Sequence, residues 1–285
     1  MDVIDSHFHI WELKKFPEYE FPTPDFPLLN RNFSIQEYEQ EVQDTPVKGA
    51  VFVQVANDCP EEIDWLCTLA KNHPLIRGVV GGLSVGKGPE KLCAEIDSLK
   101  KYKEFVGARY ILNYADADTY LLEPKTHQGL AILEDRELSF DLVMYPRLLK
   151  QGIDIARRFP RLRLVIDHCG KPLIRDGYPK QWAEDMKALA QYPNVYCKLS
   201  GLTTEAMLER KWSVEDLKPY VQDCLDWFGA ERCMYGSDWP VSTLNAVNYK
   251  QVYESMREAM PVALNEAPLR AIFHDNAAHF YRLSN

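Results

Sequence analysis

The sequence is short of several features that mark particular classes of protein. No apolar run approaches the roughly 18 residues that a membrane-spanning helix requires. Basic side chains are outnumbered, with 33 Lys and Arg against 42 Asp and Glu in 285 residues, which gives a formal net charge of −9. Because nucleic-acid binding needs clustered basic residues, this balance argues against a nucleic-acid partner. We also expect no secretory signal, since the sequence starts Met1-Asp2-Val3-Ile4-Asp5, with neither a basic region nor an apolar one.

Cysteines are scattered and form no pattern. There are seven, an odd number, and none forms a CxxC pair, so the sequence predicts no disulfide framework. Most lie within apolar helix or strand patterns and are predicted to be reduced and buried. These features together predict a cytoplasmic protein that acts on a small molecule and does not bind membranes. The sequence does not define an oligomeric state.

Short apolar runs alternate with amphipathic stretches of helical period along the whole chain. The runs that we interpret as strands are Val3–Ile10, Ala50–Val55, Ile76–Leu83, Phe105–Leu112, Ser139–Tyr145, Leu162–Asp167, Asn194–Leu199 and Arg232–Gly236. Helical patterns follow at Ile35–Val42, Glu61–His73, Glu90–Lys103, Gly129–Glu137, Leu148–Phe159, Lys180–Tyr192, Val214–Phe228, Tyr249–Met260 and Pro268–Leu283. Strict alternation implies parallel strands joined by right-handed crossovers. Eight such units predict an α/β protein with a single (β/α)8 TIM-type barrel.

An open doubly wound sheet is the alternative architecture. It is disfavoured because no strand is followed by a glycine-rich phosphate-binding loop. No linker or repeat divides the chain, so we expect one domain spanning residues 1–285. A loop at about residues 12–33 is rich in proline and aromatic side chains. It follows the carboxyl end of the first strand, the face where barrels build active sites, and is interpreted either as a lid or as a surface feature.

The first strand ends in Asp5-Ser6-His7-Phe8-His9. Because side chains alternate along a strand, His7 and His9 should share one face with Asp5 below them, while Ile4 and Phe8 face the helices. Two imidazoles about 7 Å apart on one strand can share a divalent metal. The motif alone is a weak signal, but its place at a predicted strand end strengthens it.

Two further strand ends carry suitable side chains. His168 continues the alternation of the sixth strand, and Asp238 follows the eighth, which adjoins the first when a barrel closes. A carboxylate beside histidines is either a metal ligand or a general base. The alternatives are a buried histidine hydrogen-bonded to its neighbours and an aspartate that caps a turn. Four such residues at three strand ends favour a site.

Arg109, on the fourth strand, needs an anion because burying an unpaired charge is costly. It is predicted either to grip a substrate oxygen or carboxylate, or to pair with Asp141 or Asp167. Tyr145 ends the fifth strand, and Lys198 lies on the seventh. No GxSxG motif is present, so a serine nucleophile is not expected.

Several segments, in order, resemble the amidohydrolase superfamily, within it the amidohydrolase-2 group and its sugar-lactonase-like branch. They are Ile4-Asp5-Ser6-His7-Phe8-His9-Ile10-Trp11, Gly107-Ala108-Arg109, Ile166-Asp167-His168-Cys169-Gly170-Lys171-Pro172, Lys198-Leu199-Ser200-Gly201-Leu202 and Tyr235-Gly236-Ser237-Asp238-Trp239-Pro240-Val241. The resemblance runs from residue 2 to about residue 283 and is specific only when the segments are taken together.

The resemblance implies a set of site residues. Carried over by residue, it comprises His7, His9, His168 and Asp238 as metal ligands, with Arg109 and Tyr145 as substrate contacts. Our own further predictions are that Asp238, His168 and Arg109 are catalytic and that Lys171, Lys198, Trp11 and Trp239 also contact the substrate. The fourth strand offers Arg109 in place of the carbamylated lysine of binuclear members, so we expect at most one ion, zinc or manganese. The branch also includes lactonases that work without any metal, and the resemblance leaves this point open.

The implied reaction is hydrolysis of a small lactone, a sugar aldonolactone above all. Water would attack the ring ester carbonyl with Asp238 as general base, while Arg109 and His168 stabilise the oxyanion. Two alternatives remain at this stage. One is a metal-dependent decarboxylase of the same superfamily, and the other is a catalytically silent barrel that binds a ligand.

Overall fold

The computed structural model describes residues 1–16, 19–112, 117–206, 211–246 and 248–284. Eight parallel strands follow one another in chain order around one sheet. They are β1 (Val3–Phe8), β2 (Val47–Val53), β3 (Ile76–Gly81), β4 (Phe105–Leu112), β5 (Ser139–Met144), β6 (Arg163–Ile166), β7 (Val195–Leu199) and β8 (Cys233–Tyr235). All eight predicted strands are therefore confirmed.

The sheet closes into a barrel between β1 and the chain around β8. The Ser6 hydroxyl donates to the carbonyl oxygen of Tyr235 at 2.6 Å. Beyond β8, the N–H of Asp238 donates to the carbonyl of His7, and the N–H of His9 donates to that of Trp239, both at 2.8 Å. The predicted (β/α)8 barrel is confirmed, and its seam lies beside the candidate site.

Helices connect the strands and cover the barrel. They are α1 (Ile35–Val42), α2 (Pro60–Ala70), α3 (Pro89–Leu99), α4 (Ala117–Tyr120), α5 (Pro124–Asp135), α6 (Leu149–Arg158), α7 (Lys180–Leu189), α8 (Leu202–Glu205), α9 (Val214–Phe228), α10 (Tyr249–Ala259), α11 (Glu266–Arg270) and α12 (Asn276–Phe280). Among the described residues, no helix combines the length and apolar character needed to cross a membrane.

The predicted single helix at Pro268–Leu283 is wrong. A π-helical turn, Ala271–Asp275, separates α11 from α12. The buried Asn276 side chain at the start of α12 donates to the carbonyls of Ala230 and Cys233, both at 2.6 Å. These bonds anchor α12 beside β8, and the wider turn adjusts the chain to that position.

The pairing of β1 with β2 is irregular between Asp5 and Phe8. Asp5 therefore does not lie below the histidines as predicted, but points outward and accepts hydrogen bonds from Tyr38 in α1 (2.8 Å) and Tyr249 in α10 (3.0 Å). Ile4, predicted to face the helices, belongs instead to the apolar cluster inside the barrel. A bulge interrupts the alternation of side chains between the two faces of a strand, so alternation alone does not predict which face a residue takes on the far side of the bulge.

The floor of the barrel is apolar and is closed by the end of the chain. Its interior side chains are Ile4, Val51, Val53, Val80, Val106, Val165 and Met234. Ala277, Phe280 and Tyr281 pack against them from below. Polar groups higher in the barrel are thus separated from solvent at this end.

Phe280→Ala tests this role of the chain end. The Phe280 ring is 1% exposed, and its loss should lower the free energy of unfolding by about 3–5 kcal/mol through lost burial and a residual cavity. Urea unfolding followed by circular dichroism measures the change. Val262→Ala, at a fully exposed position, is the control and should be close to neutral. A Phe280→Ala cost no larger than the control's would contradict the packing described here.

Candidate active site

Three histidines surround the carboxylate of Asp238 at the carboxyl end of the barrel. Asp238 Oδ1 lies 3.2 Å from His9 Nε2, 3.8 Å from His7 Nε2 and 3.9 Å from His168 Nε2. All four residues are buried or nearly so. The structure therefore brings together the four side chains that the sequence singled out at three strand ends.

The sequence suggested that His168 continues an extended strand. In the structure, it reaches the cluster through a tight turn instead. Strand β6 ends at Ile166, and both His168 and Cys169 adopt left-handed backbone conformations, with φ of 55° and 51°. Ser200 holds the imidazole at Nδ1 (2.9 Å). A Cβ at Gly201 would lie 2.5 Å from that same Nδ1, so only glycine fits beside the ring.

Arg109 rises from β4 between the site and the polar layer beneath it. Its Nε donates to Asp167 at 3.0 Å, and its Nη1 donates to the carbonyl of Gln54 at 2.5 Å. The Gln54 amide donates in turn to the carbonyl of Arg109 at 3.2 Å. Of the two predicted alternatives, the ion pair with Asp167 is present, and Arg109 also lines the cavity.

Lys198 does not reach the cavity, contrary to its prediction as a substrate contact. It is fully buried, and its ammonium lies 2.6 Å from Asp141, 3.0 Å from Asp167 and 3.1 Å from His7 Nδ1. The ammonium thus donates a hydrogen bond to Asp141 and forms an ion pair with Asp167. Tyr281, from the chain end, donates to the same Asp141 oxygen at 2.6 Å. Lys198 is a structural cation under the site.

The two predicted tryptophan contacts also lie away from the cavity. Trp11 is fully buried and donates from its indole nitrogen to the carbonyl of Arg31 at 2.6 Å. Trp239 packs against Phe33 and Tyr38 at the barrel seam. Both rings are large apolar groups that fill the space behind the site, and the sequence motif gave no sign of which way they point.

A cavity of about 540 Å³ opens above Arg109 and Asp238. Its lining comprises His9, Glu20, Phe21, Phe26, Val55, Ala56, Arg109, Ile111, Val143, Tyr145, His168, Lys171, Leu173, Arg175, Thr204, Glu205, Asp238, Val241 and Leu244. Three members belong to the loop at residues 12–33, within which residues 17 and 18 lie outside the described part. The loop thus forms part of the cavity wall, as the lid interpretation requires.

Tyr145 and Lys171 line the cavity, where the sequence expected them, and their role in binding stays a prediction. Lys171 pairs with Glu205, and its ammonium lies 5.5 Å from the centre of the Tyr145 ring. Glu205 was not predicted from the sequence, because it belongs to none of the recognised motifs. Its position in the short helix after β7 was the one available signal, because active-site loops follow barrel strands.

Burial and neighbouring charges set the protonation states at the site. Burial, assisted by the Lys198 ammonium, holds the pKa of His7 well below its usual range. Burial likewise depresses the pKa of His168. Burial alone would raise the pKa of Asp238, but His168, His9 and Arg109 outweigh it and leave that pKa below its ordinary value. At neutral pH the site therefore presents neutral His7 and His168 with an ionised Asp238.

The donor set suits one divalent ion. The ligand atoms of His7, His9 and Asp238 lie within 4.8 Å of one another. His7 Nε2 is buried and has no hydrogen-bond partner among the described residues. His9 Nδ1 lies 2.6 Å from the carbonyl of Val53, so Nδ1 carries the proton and Nε2 is free to bind a metal. Neutral imidazoles and a carboxylate are common zinc ligands.

The chain forms a (β/α)8 barrel that carries histidines and a carboxylate at the carboxyl ends of its strands. Hydrolytic enzymes with this fold build their active sites at that end of the barrel. The sequence matches the model of the amidohydrolase family over residues 4–283. The chain belongs to the amidohydrolase family.

Individual relatives match over nearly their full length. An L-fucono-1,5-lactonase from Burkholderia ambifaria is 33% identical over 98% of this chain and 95% of its own. An L-fucono-1,5-lactonase from Burkholderia multivorans is 29% identical over 98% and 96%. A crystal structure of an amidohydrolase from Burkholderia multivorans with bound zinc superimposes with a TM-score of 0.90, at 28% identity and complete coverage of both chains.

Lys198→Met tests the polar layer below the site. Removing the ammonium leaves two buried carboxylates, Asp141 and Asp167, without their shared cation, and should cost about 3–5 kcal/mol in the free energy of unfolding. Chemical denaturation measures it. Lys218→Met, which removes a surface lysine paired three residues away with Glu215, is the matched control and should change little. Equal stability of the two variants would contradict the role assigned to Lys198.

Proposed function

We propose that this protein hydrolyses a small sugar aldonolactone by attack of water at the ring ester carbonyl. The observation that carries the proposal is the position of the Asp238 carboxylate, which lines the cavity together with Arg109 and His168. The relatives named as L-fucono-1,5-lactonases support the choice of a lactone. The cavity volume of about 540 Å³ suits a single sugar ring.

Asp238 acts as the general base. Its lowered pKa keeps the carboxylate ionised, so Oδ1 can accept a proton from a water molecule held in the cavity. The left-handed backbone at Asp238 (φ 57°) directs the carboxylate towards the histidines, and its Oδ1 lies 3.2 Å from His9 Nε2. The proton taken up is later returned to the ring oxygen that leaves.

Arg109 and His168 stabilise the oxyanion of the tetrahedral intermediate. Arg109 is held by Asp167 and by the Gln54 carbonyl, so its guanidinium is already oriented before the reaction begins and needs no free energy for reorientation. Ser200 Oγ accepts the backbone N–H of His168 and, in this mechanism, donates its own proton to Nδ1. His168 Nε2 then carries a proton that it can donate to the oxyanion. Lys171, Tyr145 and Glu205 bind the sugar hydroxyls.

The site would hold at most one divalent ion, zinc or manganese. His7, His9 and Asp238 are the side chains that would bind it, because His168 Nε2 is assigned as a donor. Such an ion, when bound, polarises an ester carbonyl and lowers the pKa of water. A second ion is not expected, since Arg109 stands on β4 where binuclear members carry a lysine.

Asp238→Asn tests the general base. The amide cannot accept the proton, so kcat for an aldonolactone should fall by about 100- to 10,000-fold while the far-ultraviolet circular dichroism stays unchanged. Proton release in a weakly buffered solution measures turnover. Asp154→Asn, on the outer surface of α6, is the control and should retain full activity. Full activity in a folded Asp238→Asn enzyme would disprove this mechanism.

Metal analysis tests the ion count. After equilibration with zinc and removal of excess, the wild type should hold no more than one equivalent per chain by mass spectrometry. His9→Ala should lower zinc affinity, because it removes one of three ligands, whereas His279→Ala at the chain end should not. Two firmly bound equivalents would contradict the donor set described above.

A further inference from the structure

The segment that follows β6 forms one turn of left-handed backbone. His168, Cys169, Gly170 and Lys171 have φ angles of 55°, 51°, 67° and 49°. A left-handed conformation brings the Cβ of an L-residue close to the following carbonyl oxygen, so it is unfavourable for residues other than glycine. Only one of these four residues is a glycine. Contacts from outside the turn must therefore hold it in this conformation.

The two ends of the turn carry side chains of the cavity. His168, at the first position, and Lys171, at the fourth, both line it. The N–H of Lys171 donates to the carbonyl of His168 at 2.8 Å, which closes the turn. Because Cys169 lies between them, a change in its backbone angles would move these two side chains relative to each other.

Helix α7 supplies a contact at the middle of the turn. The indole N–H of Trp182 donates to the carbonyl of Cys169 at 2.7 Å. Met186 lies four residues further along α7, on the same face of the helix. A Cβ at Gly170 would lie 2.8 Å from the Met186 sulfur, so this face of α7 packs closely against the turn.

The indole of Trp182 is itself held in place by α9. It is fully buried, and its ring centre lies 5.4 Å from that of Tyr220 and 5.5 Å from that of Trp227. A ring packed in this way directs its N–H at the carbonyl of Cys169. Cys169 is also fully buried, so loss of the indole N–H would take a hydrogen bond from a carbonyl that lies away from water.

We propose that Trp182 is a positioning residue for hydrolysis, which holds the left-handed turn through the Cys169 carbonyl and so aligns His168 and Lys171 in the cavity. The proposal rests on the proposed lactonase function. Trp182 lies behind the turn and not among the described residues that line the cavity, so it acts through the turn and not on the substrate. Its loss should lower kcat, because the oxyanion donor His168 is displaced, and raise KM, because Lys171 is displaced.

Trp182→Phe tests this role, since it keeps an aromatic ring but removes the N–H. The kcat/KM for an aldonolactone should fall by about 10- to 100-fold, with a lower kcat and a higher KM. Trp227→Phe alters the neighbouring ring and is the matched control, for which we expect a loss of less than about twofold. A variant that only reduced the folded fraction would lower kcat at unchanged KM. That result, or a loss no larger than the control's, would overturn the proposal.

A double-mutant cycle locates the effect on the turn. If Trp182 acts on kcat through His168, Trp182→Phe should lower kcat by less than about twofold in a His168→Ala background. Equal factors in the two backgrounds would overturn the proposal while leaving lactone hydrolysis intact. A wild type that hydrolyses no aldonolactone would overturn the proposed function and this role together. Where Trp182→Phe folds poorly, β-benzothienylalanine at position 182 replaces the N–H by sulfur in the same two-ring shape, and the same losses are expected.

Discussion

A single buried ammonium group, that of Lys198, holds the polar layer of the barrel together. Charges are rarely buried without partners, because leaving water costs several kcal/mol for each ion. Here two carboxylates, Asp141 and Asp167, share the ammonium, and the Tyr281 hydroxyl donates to Asp141 from the end of the chain. Burial raises the pKa of Asp141. Burial would also raise the pKa of Asp167, but the Lys198 ammonium outweighs it and holds that pKa well below its usual range. The chain end and the catalytic rim are therefore joined through one cation.

This arrangement explains how the site acquires its protonation states. Lys198 lies 3.1 Å from His7 Nδ1, so its positive charge adds to burial in keeping His7 neutral. Asp167, held ionised, in turn orients the Arg109 guanidinium at 3.0 Å. Asp238 stands above this layer with a lowered pKa. A base that is ionised, beside a fixed cation and neutral imidazoles, is what water attack on an ester requires.

The periodicity of the sequence was sufficient to predict the architecture. Parallel barrel strands are buried on both sides, so they appear in the sequence as apolar runs separated by amphipathic helices. It also placed His7, His9, His168 and Asp238 on one rim, since strand ends meet there. It failed where the chain departs from regular geometry or where partners are distant in sequence. The bulge in β1 reversed the facing of Asp5, and the partners of Lys198 lie 31 to 191 residues away from it. Neither a local irregularity nor a long-range ion pair leaves a local pattern.

The side chains that line the cavity are held by two different kinds of backbone geometry. His168 and Asp238 lie on left-handed turns packed against Gly201 and the barrel seam, so neighbouring substitutions there disturb the reacting groups. Ile111 and Val143 project from regular strands in an unbroken register and touch neither Asp238 nor the histidines through hydrogen bonds. Their side chains can change size or polarity without moving the base. In this barrel, therefore, the cavity residues of β4 and β5 are mechanically separate from the turns that hold His168 and Asp238, although both line the same cavity.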